Sequence, residues 1–420
     1  LVSMTTAGAT TTTDRIVVAN GVTANITLNG VAIQLPAGCA FNIAGAAVNL
    51  TLTGNNTLQS GAHSAGLSCP IGAALTISGS GSLTASGGEY GAGIGGGLAG
   101  GCGAVTISSG TVTASGGRGD WGGAAGIGSG ANCTEENGGG IVTISGGTVT
   151  AHGAASGGAG IGGGGFDGCA GYGGTVFISG GLVTATGYGG GAGIGAGSGG
   201  GWGDHVSGGA VTISGGTVIA SGNGDRGAGI GSGWGSDGAS ITIRGGSVNA
   251  SSLDEAPVNQ NGVNVYRTTV TLESLGAAIG DAAVCTLATN AGYAYGTKDL
   301  KTDADGKLYL YLPADTLTGA AQTTDGAAPP AYTTYRGSIR TADDGKATGV
   351  LSAGAAPTQS VLTGGSISFT ALELGLGPLT ITAIGTDIDS GIATAARSGG
   401  RVTVTGVAAG STSLTVTYNN

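Results

Sequence analysis

Aromatic and acidic side chains that could bind a sugar are concentrated in the glycine-rich segments of this chain. All three tryptophans lie there, together with most of the acidic residues of the first 250 positions. Aromatic rings stack on apolar surfaces such as the C–H face of a pyranose, and carboxylates accept hydrogen bonds from hydroxyl groups. The candidate ligand-binding residues are Trp121, Phe166, Asp167, Trp202, Asp204, His205, Trp234 and Asp237.

The same acids leave a catalytic alternative open. Enzymes that cleave polysaccharides use paired carboxylates as acid, base or nucleophile, and Asp167, Asp204 and Asp237 would fill these roles in a hydrolase or lyase. The ordered polygalacturonase-type signature NTDG, DD, GHG is missing. The three aspartates also lie in flexible glycine-rich loops, which hold catalytic geometry poorly. We therefore expect no catalytic residue.

Metal and cofactor signals are weak. Carboxylates in this number suit a structural Ca²⁺ ion, but the strict Asp-repeat loop of calcium-binding repeats is missing. The three histidines are isolated, and the six cysteines form no CxxC or Cys/His cluster. We predict no cofactor, with Ca²⁺ as the one open possibility.

Internal repeats determine the predicted fold. One strand motif recurs as LTISG, VTISS, VTISG, VFISG, VTISG and ITIRG, with its central isoleucine at positions 77, 107, 144, 178, 213 and 243. A second strand such as TVTAS follows after a glycine turn. A third motif, G-I-G, has its isoleucine at positions 94, 127, 161, 194 and 230. Each unit thus contains three short strand-like pieces separated by glycine turns.

Each piece alternates polar and apolar residues, so that a single apolar row faces inward. One unit cannot bury such rows alone, but stacked units align isoleucine over isoleucine and valine over valine. The sequence therefore predicts an all-β chain that begins with a right-handed parallel β-helix. The glycine-rich stretches around G-I-G are predicted to be loop insertions on one face.

The repeat register ends before position 263, and two further β-rich segments follow. We predict a β-helix over 1–262 and small β-sandwich domains over 263–348 and 349–420. Helical patterns are nearly absent.

Three segments resemble known families. The closing segment RVTVTGVAAGSTSLTV (401–416) resembles the last strands of a bacterial immunoglobulin-like (Big) domain, and TDADGKLYLYLP (302–313) resembles a collagen-adhesin B-type module. The repeats GAGIGGG and VTISGGTVTA are similar to glycine-rich regions of Gram-positive cell-surface proteins. The resemblance implies a surface location and a stalk-like context, with no catalytic motif to transfer.

Composition excludes several functions. Ninety-six glycines could indicate disorder, yet 40% of the residues are hydrophobic, which indicates a folded chain. A net charge of −10 with 13 scattered cations argues against nucleic-acid binding and against anionic membrane surfaces. No apolar run approaches the roughly 18–20 residues of a membrane span, so membrane insertion is not expected.

Cysteine spacing suggests cross-links between coils in an oxidising compartment. Cys102, Cys133 and Cys169 follow their G-I-G isoleucines by eight, six and eight residues, and Cys39 and Cys69 form a similar pair one coil apart. We predict at least one disulfide among these five residues, although buried free thiols are an equal alternative.

These observations favour an extracellular or cell-surface adhesin-like protein that binds a glycan or polysaccharide through the loop face. A polysaccharide-degrading enzyme is one alternative. A structural fibre is another, because an uncapped solenoid end is a template for self-association.

Overall fold

The computed structural model describes residues 2–3, 11–132, 138–200, 206–222, 226–274, 277–290, 294–325, 332–341, 348–353, 360–370, 380–386 and 388–419. Within these ranges the chain is all-β without an α-helix, and no described helix could cross a membrane. The chain forms two compact units. Unit 1 comprises Leu1–Val265 with Lys298–Leu300, and unit 2 comprises Tyr266–Thr297 and Lys301–Asn420.

Unit 1 is built from short strands, and its later coils also contain strands of 11 or 12 residues. Its strands are β1 Val2–Ser3, β2 Ile16–Val17, β3 Thr23–Asn29, β4 Ala32–Gln34, β5 Phe41–Asn42, β6 Ala47–Thr53, β7 Asn55–Gln59, β8 Leu67–Ser68, β9 Ala74–Gly79, β10 Ser82–Ser86, β11 Ile94–Gly95, β12 Ala104–Ile107, β13 Thr111–Ser115, β14 Gly122–Gly123, β15 Ile127–Gly128, β16 Ile141–His152, β17 Ile161–Gly162, β18 Gly165–Phe166, β19 Cys169–Ala170, β20 Thr175–Thr186, β21 Ile194–Gly195, β22 Ala210–Ser221, β23 Ile230–Gly231 and β24 Ser240–Ala250.

These strands form parallel ladders, so the predicted parallel β-helix is confirmed. The isoleucines of the VTISG motif pair coil to coil in the order 77, 107, 144, 178, 213 and 243. The second-strand valines and alanines pair in the same way. A separate eight-stranded ladder joins the G-I-G isoleucines to Ile16, Phe41 and Leu67 of the earlier coils.

The stacked apolar rows form the core. All six VTISG isoleucines and all five G-I-G isoleucines are at most 1% exposed. The hydrophobic effect therefore acts across coils rather than within one, since each coil contributes only a few buried side chains.

The corner between the first and second strands differs from the sequence expectation. The two predicted pieces are separate in the early coils but form one bent strand in β16, β20, β22 and β24. The ladder register shifts at the Gly-Gly corner, for example after Ile144, and Gly147 has φ +81°. A glycine at this corner bends the strand without ending its backbone pairing.

The segment after the last coil covers the exposed edge of β24. Val258 forms a parallel bridge with Thr242, donating its N–H to Ile241 O at 3.0 Å and accepting from Ile243 N at 2.8 Å. Leu253 bridges to Ile230 of the G-I-G ladder. These bonds occupy backbone groups that would otherwise be free to pair with another chain.

The described residues of unit 2 form three further sheets. Its strands are β25 Tyr266–Ser274, β26 Ala277–Ala278, β27 Ala283–Thr289, β28 Leu300–Lys301, β29 Lys307–Leu312, β30 Leu317–Thr324, β31 Tyr332–Arg340, β32 Thr348–Ala353, β33 Ser366–Thr370, β34 Thr380–Ile384, β35 Ala393–Ser398, β36 Arg401–Gly406 and β37 Val416–Asn419. The division between the units falls within β28, since Leu300 groups with unit 1 and Lys301 with unit 2.

The first sheet of unit 2 has eight strands, β25 to β32, and most of its described pairings are antiparallel. β32 lies in this sheet, so the predicted boundary at 348/349 falls at the start of that strand. The two small sheets that follow, β33-β36-β35 and β34-β37, share a core around Ile381 and Val402.

Candidate functional site

Each G-I-G motif forms a tight reversal of the backbone. The residue two positions before the isoleucine donates its N–H to the carbonyl two positions after it, as in Ala92 to Gly96 at 2.9 Å and Ala159 to Gly163 at 2.9 Å. The same bond recurs in all five motifs. The isoleucine at the tip enters the core, and most of the residues that flank it are buried as well.

Glycine is required directly after the isoleucine. Gly128 has φ +143°, and an added Cβ would lie 1.9 Å from the carbonyl oxygen of Gly162 in the next coil. Both the left-handed backbone and the close approach exclude a side chain here. The glycine content in these segments is therefore a packing requirement.

The flanking segments form an ordered layer, which we call the shelf. In each coil it comprises the described residues from six positions before to six positions after the buried residue of the eight-stranded ladder. These buried residues, the core residues of their coils, are at positions 67, 94, 127, 161, 194 and 230. A repeated backbone hydrogen bond joins neighbouring coils. The residue four positions after the core residue of one coil donates its N–H to the carbonyl of the residue four positions before the core residue of the preceding coil. Examples are Leu98 N–H to His63 O at 3.1 Å and Trp234 N–H to Gly190 O at 2.8 Å. Within the described residues, the predicted insertions are thus hydrogen-bonded from coil to coil.

Aromatic rings follow the shelf along the solenoid axis. Each of six successive coils places at least one ring on it, and in coil order these are His63, Tyr90, Trp121, Phe166, Tyr188 and Trp234. Trp121 is 66% exposed and Trp234 39% exposed. Since coils rise by about 4.8 Å each, five steps cover about 24 Å.

Four of these rings lie together, and we call them the first patch: His63, Tyr90, Trp121 and Phe166. The rings of His63 and Tyr90 stack with centroids 5.7 Å apart and planes 9° apart. Phe166 lies 6.3 Å from Tyr90 in a tilted arrangement. Trp121 donates its backbone N–H to Tyr90 Oη at 3.4 Å.

A three-stranded sheet, β14-β18-β19, positions Trp121 and Phe166. Gly122 and Phe166 are antiparallel partners, and Asp167 donates its N–H to Trp121 O at 2.8 Å. Asp167 lies in the turn between β18 and β19. The structure therefore brings together Trp121, Phe166 and Asp167, three of the predicted ligand-binding residues.

The second patch consists of Tyr188, Arg226 and Trp234, all exposed. The Arg226 guanidinium lies 4.2 Å from the centroid of a Trp234 ring, a cation–π contact that orients the indole. The two patches follow one another along the axis, because Phe166 N donates to Ser198 O at 3.1 Å and Gly199 N to Trp234 O at 2.9 Å. Phe166 and Trp234 are thus two coils apart.

The three candidate aspartates, Asp167, Asp204 and Asp237, are only partly described. Trp202, Asp204 and His205 lie outside the described residues. Asp237 adjoins Val206 and Ser207 of the preceding coil, whereas Gly168 beside Asp167 donates to Gly199. The register therefore does not stack Asp167 with Asp237, although both are exposed. No group of three potential metal ligands occurs among the described residues, and Ca²⁺ binding stays a prediction.

The cysteine pair Cys39 and Cys69 does not form the suggested cross-link, because both are free thiols. Phe41 and Leu67 are ladder partners, and Cys39 lies two residues before Phe41 while Cys69 lies two residues after Leu67. This offset of four residues corresponds to about 13 Å of strand, well beyond the roughly 7 Å between Cα atoms that a disulfide allows. Cys169 is also a free thiol, and Cys133 lies outside the described residues.

Burial makes these thiols poorly acidic. Desolvation raises the pKa of Cys69 to about 12 against a weaker opposing contribution from the Gly103 backbone. It also raises the pKa of Cys39. Neither thiol is expected to be a nucleophile at neutral pH.

Sequence reasoning missed His63, Tyr90 and Arg226 as members of the patches. A signal was present, since each lies four residues before the core residue of its coil, namely Leu67, Ile94 and Ile230. For His63 the signal was harder to see, because Leu67 had to be aligned with the G-I-G isoleucines. The local sequence LSCP (67–70) does not resemble the G-I-G motif.

Comparison with known proteins supports the fold alone. The family model described as beta helix repeat matches residues 75–98, 105–131, 142–165 and 211–234. No curated protein and no solved structure matches the chain. With the parallel ladders described above, these matches define unit 1 as a parallel β-helix of the repeat-protein class.

Proposed function

We propose that this chain is an extracellular, cell-surface adhesin-like protein that binds carbohydrate through the shelf without catalysing a reaction. The observation that carries the proposal is the row of aromatic rings, with at least one from each of six successive coils. Tyr90 is buried and Phe166 half-buried, so packing explains these two rings. The other four rings are exposed along a rigid edge and offer repeated stacking surfaces.

The dimensions of the row favour an extended glycan. Its length of about 24 Å exceeds what a single sugar could contact. The backbone bonds between coils hold the rings in place before a ligand arrives, which lowers the entropic cost of binding. The exposed carboxylates of Asp167 and Asp237 flank the row and can accept hydrogen bonds from hydroxyl groups.

Charge favours a neutral glycan over an acidic one. The chain carries a net charge of −10, and Asp120 and Asp167 adjoin Trp121 in the first patch. A polyanionic polysaccharide would meet net repulsion beside Trp121, where these two carboxylates lie near the single cation Arg118. We therefore expect neutral hexose polymers among the ligands.

The catalytic alternative has less support. Glycosidases hold two carboxyl groups roughly 5–10 Å apart across the scissile bond, and the register separates Asp167 from Asp237 into different columns. Self-assembly into a fibre through the end of the β-helix is also less favoured, because Val258 already pairs with the edge of β24.

A glycan-array screen of the full chain, followed by a turnover assay on each hit, tests the proposal. We expect retention of neutral glycans without release of shortened or unsaturated products. Product formation would support the enzyme alternative, and the absence of any retained glycan would contradict carbohydrate binding.

A further inference from the structure

The tripeptide Arg118-Gly119-Asp120 occupies one arm and the turn of a short hairpin beside the first patch. Gly119 donates its N–H to Gly122 O at 2.8 Å, and Arg118 and Gly123 form an antiparallel bridge. Asp120 and Trp121 are therefore the two residues of the turn. Arg118, Asp120 and Trp121 are exposed, while Gly119 between them is buried.

The hairpin is fixed to the shelf on both arms. An added Cβ on Gly119 would lie 2.0 Å from Cε1 of Tyr90, and one on Gly122 would lie 2.8 Å from Cδ2 of Phe166. The two glycines thus lie flat against aromatic rings. Ser156 Oγ donates to Gly119 O at 3.1 Å. A tip held in this way presents its charged groups in a fixed arrangement and loses little entropy on binding.

The two charged side chains are available to a partner. Within the described part of the chain, neither Arg118 nor Asp120 is engaged in a side-chain hydrogen bond or an ion pair. A guanidinium is best bound by a carboxylate, which it can contact through two hydrogen bonds. A lone exposed carboxylate is a good ligand for a divalent cation whose coordination sphere is open.

We propose that this hairpin binds a protein receptor that holds the Asp120 carboxylate on a bound divalent cation and the Arg118 guanidinium in an acidic pocket. The partner that fits this chemistry is a cation-dependent adhesion receptor of an animal cell. Nucleic acid or another polyanion does not fit, because Asp120 would repel it beside a single cation. This inference concerns a protein partner and does not depend on glycan binding.

Adhesion of cultured fibroblasts to the immobilised full chain in Mn²⁺ tests the proposal. We expect adhesion that is lost in EDTA and is competed by a free Arg-Gly-Asp peptide but not by Arg-Gly-Glu. Asp120→Glu and Arg118→Ala should each reduce the number of attached cells at least tenfold. Asp14→Glu and Arg15→Ala, at two exposed residues outside the shelf, are matched controls and should attach cells as the unchanged chain does.

Thermal melts of all four variants establish that the β-helix remains folded, and Asp120→Glu keeps both the charge and the turn. Failure of the unchanged chain to attach cells would overturn the proposal. So would adhesion that survives both hairpin variants, or adhesion that the Arg-Gly-Asp peptide does not compete. Loss of adhesion in Trp234→Ala would indicate attachment through glycans instead.

Discussion

His63 and Tyr90 lie 27 residues apart in the chain, yet their rings stack 5.7 Å apart and almost parallel. Both residues precede the core residue of their coil by four positions, and both have a left-handed backbone, with φ +65° and +64°. In two later coils the same position is Gly157 and Gly190, which also have positive φ. Bulky residues rarely adopt this conformation, and such outliers cluster at binding sites. The pair therefore supports the placement of a ligand-binding surface on the shelf.

Removing an exposed ring from the shelf is expected to weaken glycan binding. Trp121→Ala and Trp234→Ala should each raise the dissociation constant about fivefold or more, because a stacked aromatic contact contributes roughly 1 kcal/mol beyond area burial. Isothermal titration with a glycan identified on the array measures this. Phe177→Ala is the matched control, since Phe177 is 42% exposed but lies on the first-strand face. An equal loss in Phe177→Ala would contradict the assignment.

Truncating a G-I-G isoleucine should destabilise the β-helix. Ile161 is fully buried, whereas Ile141 is 51% exposed. Ile161→Ala should lower the free energy of unfolding by about 2–5 kcal/mol, and Ile141→Ala should change it by less than about 1 kcal/mol. Urea titration followed by circular dichroism distinguishes them. Equal midpoints for the two variants would mean that Ile161 does not belong to the core.

Glycine positions in the β-helix should differ in their tolerance of alanine. Gly30 has φ +65° but open space where a Cβ would be added, whereas a Cβ on Gly128 would meet the backbone of the next coil. Gly30→Ala should cost about 1 kcal/mol for the left-handed backbone alone. Gly128→Ala adds a steric clash and should cost about 3 kcal/mol or more. Comparable melting temperatures would show that the coils approach less closely than described.

Alkaline pH should destabilise unit 1 through Cys69. Because burial raises the pKa of this thiol to about 12 in the folded state, the folded state binds the proton more tightly than the unfolded state. The resulting stability is fully present below the pKa of the unfolded thiol, near 9, and is lost as the pH rises towards 12. The urea midpoint of Cys69→Ala should therefore fall less steeply than that of the unchanged chain between about pH 8 and 11.

Cys169→Ala serves as the control for this comparison, because its side chain is only partly buried. This variant keeps Cys69, so its urea midpoint should still fall as the pH rises. In the native protein at about pH 8, a thiol-alkylating reagent should modify Cys69 last. Rapid modification of Cys69 would contradict its placement in the core.

The sequence predicted the ladders well and the shelf poorly. The isoleucines at 77 to 243 align because their spacing and alternation are directly visible. The hydrogen bond from Trp234 to Gly190 has no such signal, since any glycine can accept or donate a backbone bond. The pairing of Cys39 with Cys69 was misjudged for a related reason. Their separation in sequence resembles the length of one coil, but Cys39 precedes its residue of the eight-stranded ladder whereas Cys69 follows its own.

Sequence alone thus determined the class of fold, because a solenoid core depends on which residues recur and at what interval. Tertiary structure decided which side chains meet on the outer surface. Loops of unequal length shift residues along the coil, and only backbone pairing between neighbouring coils fixes that shift. It is this pairing that places Trp121 beside Asp167 and holds the Arg118–Asp120 hairpin against Tyr90.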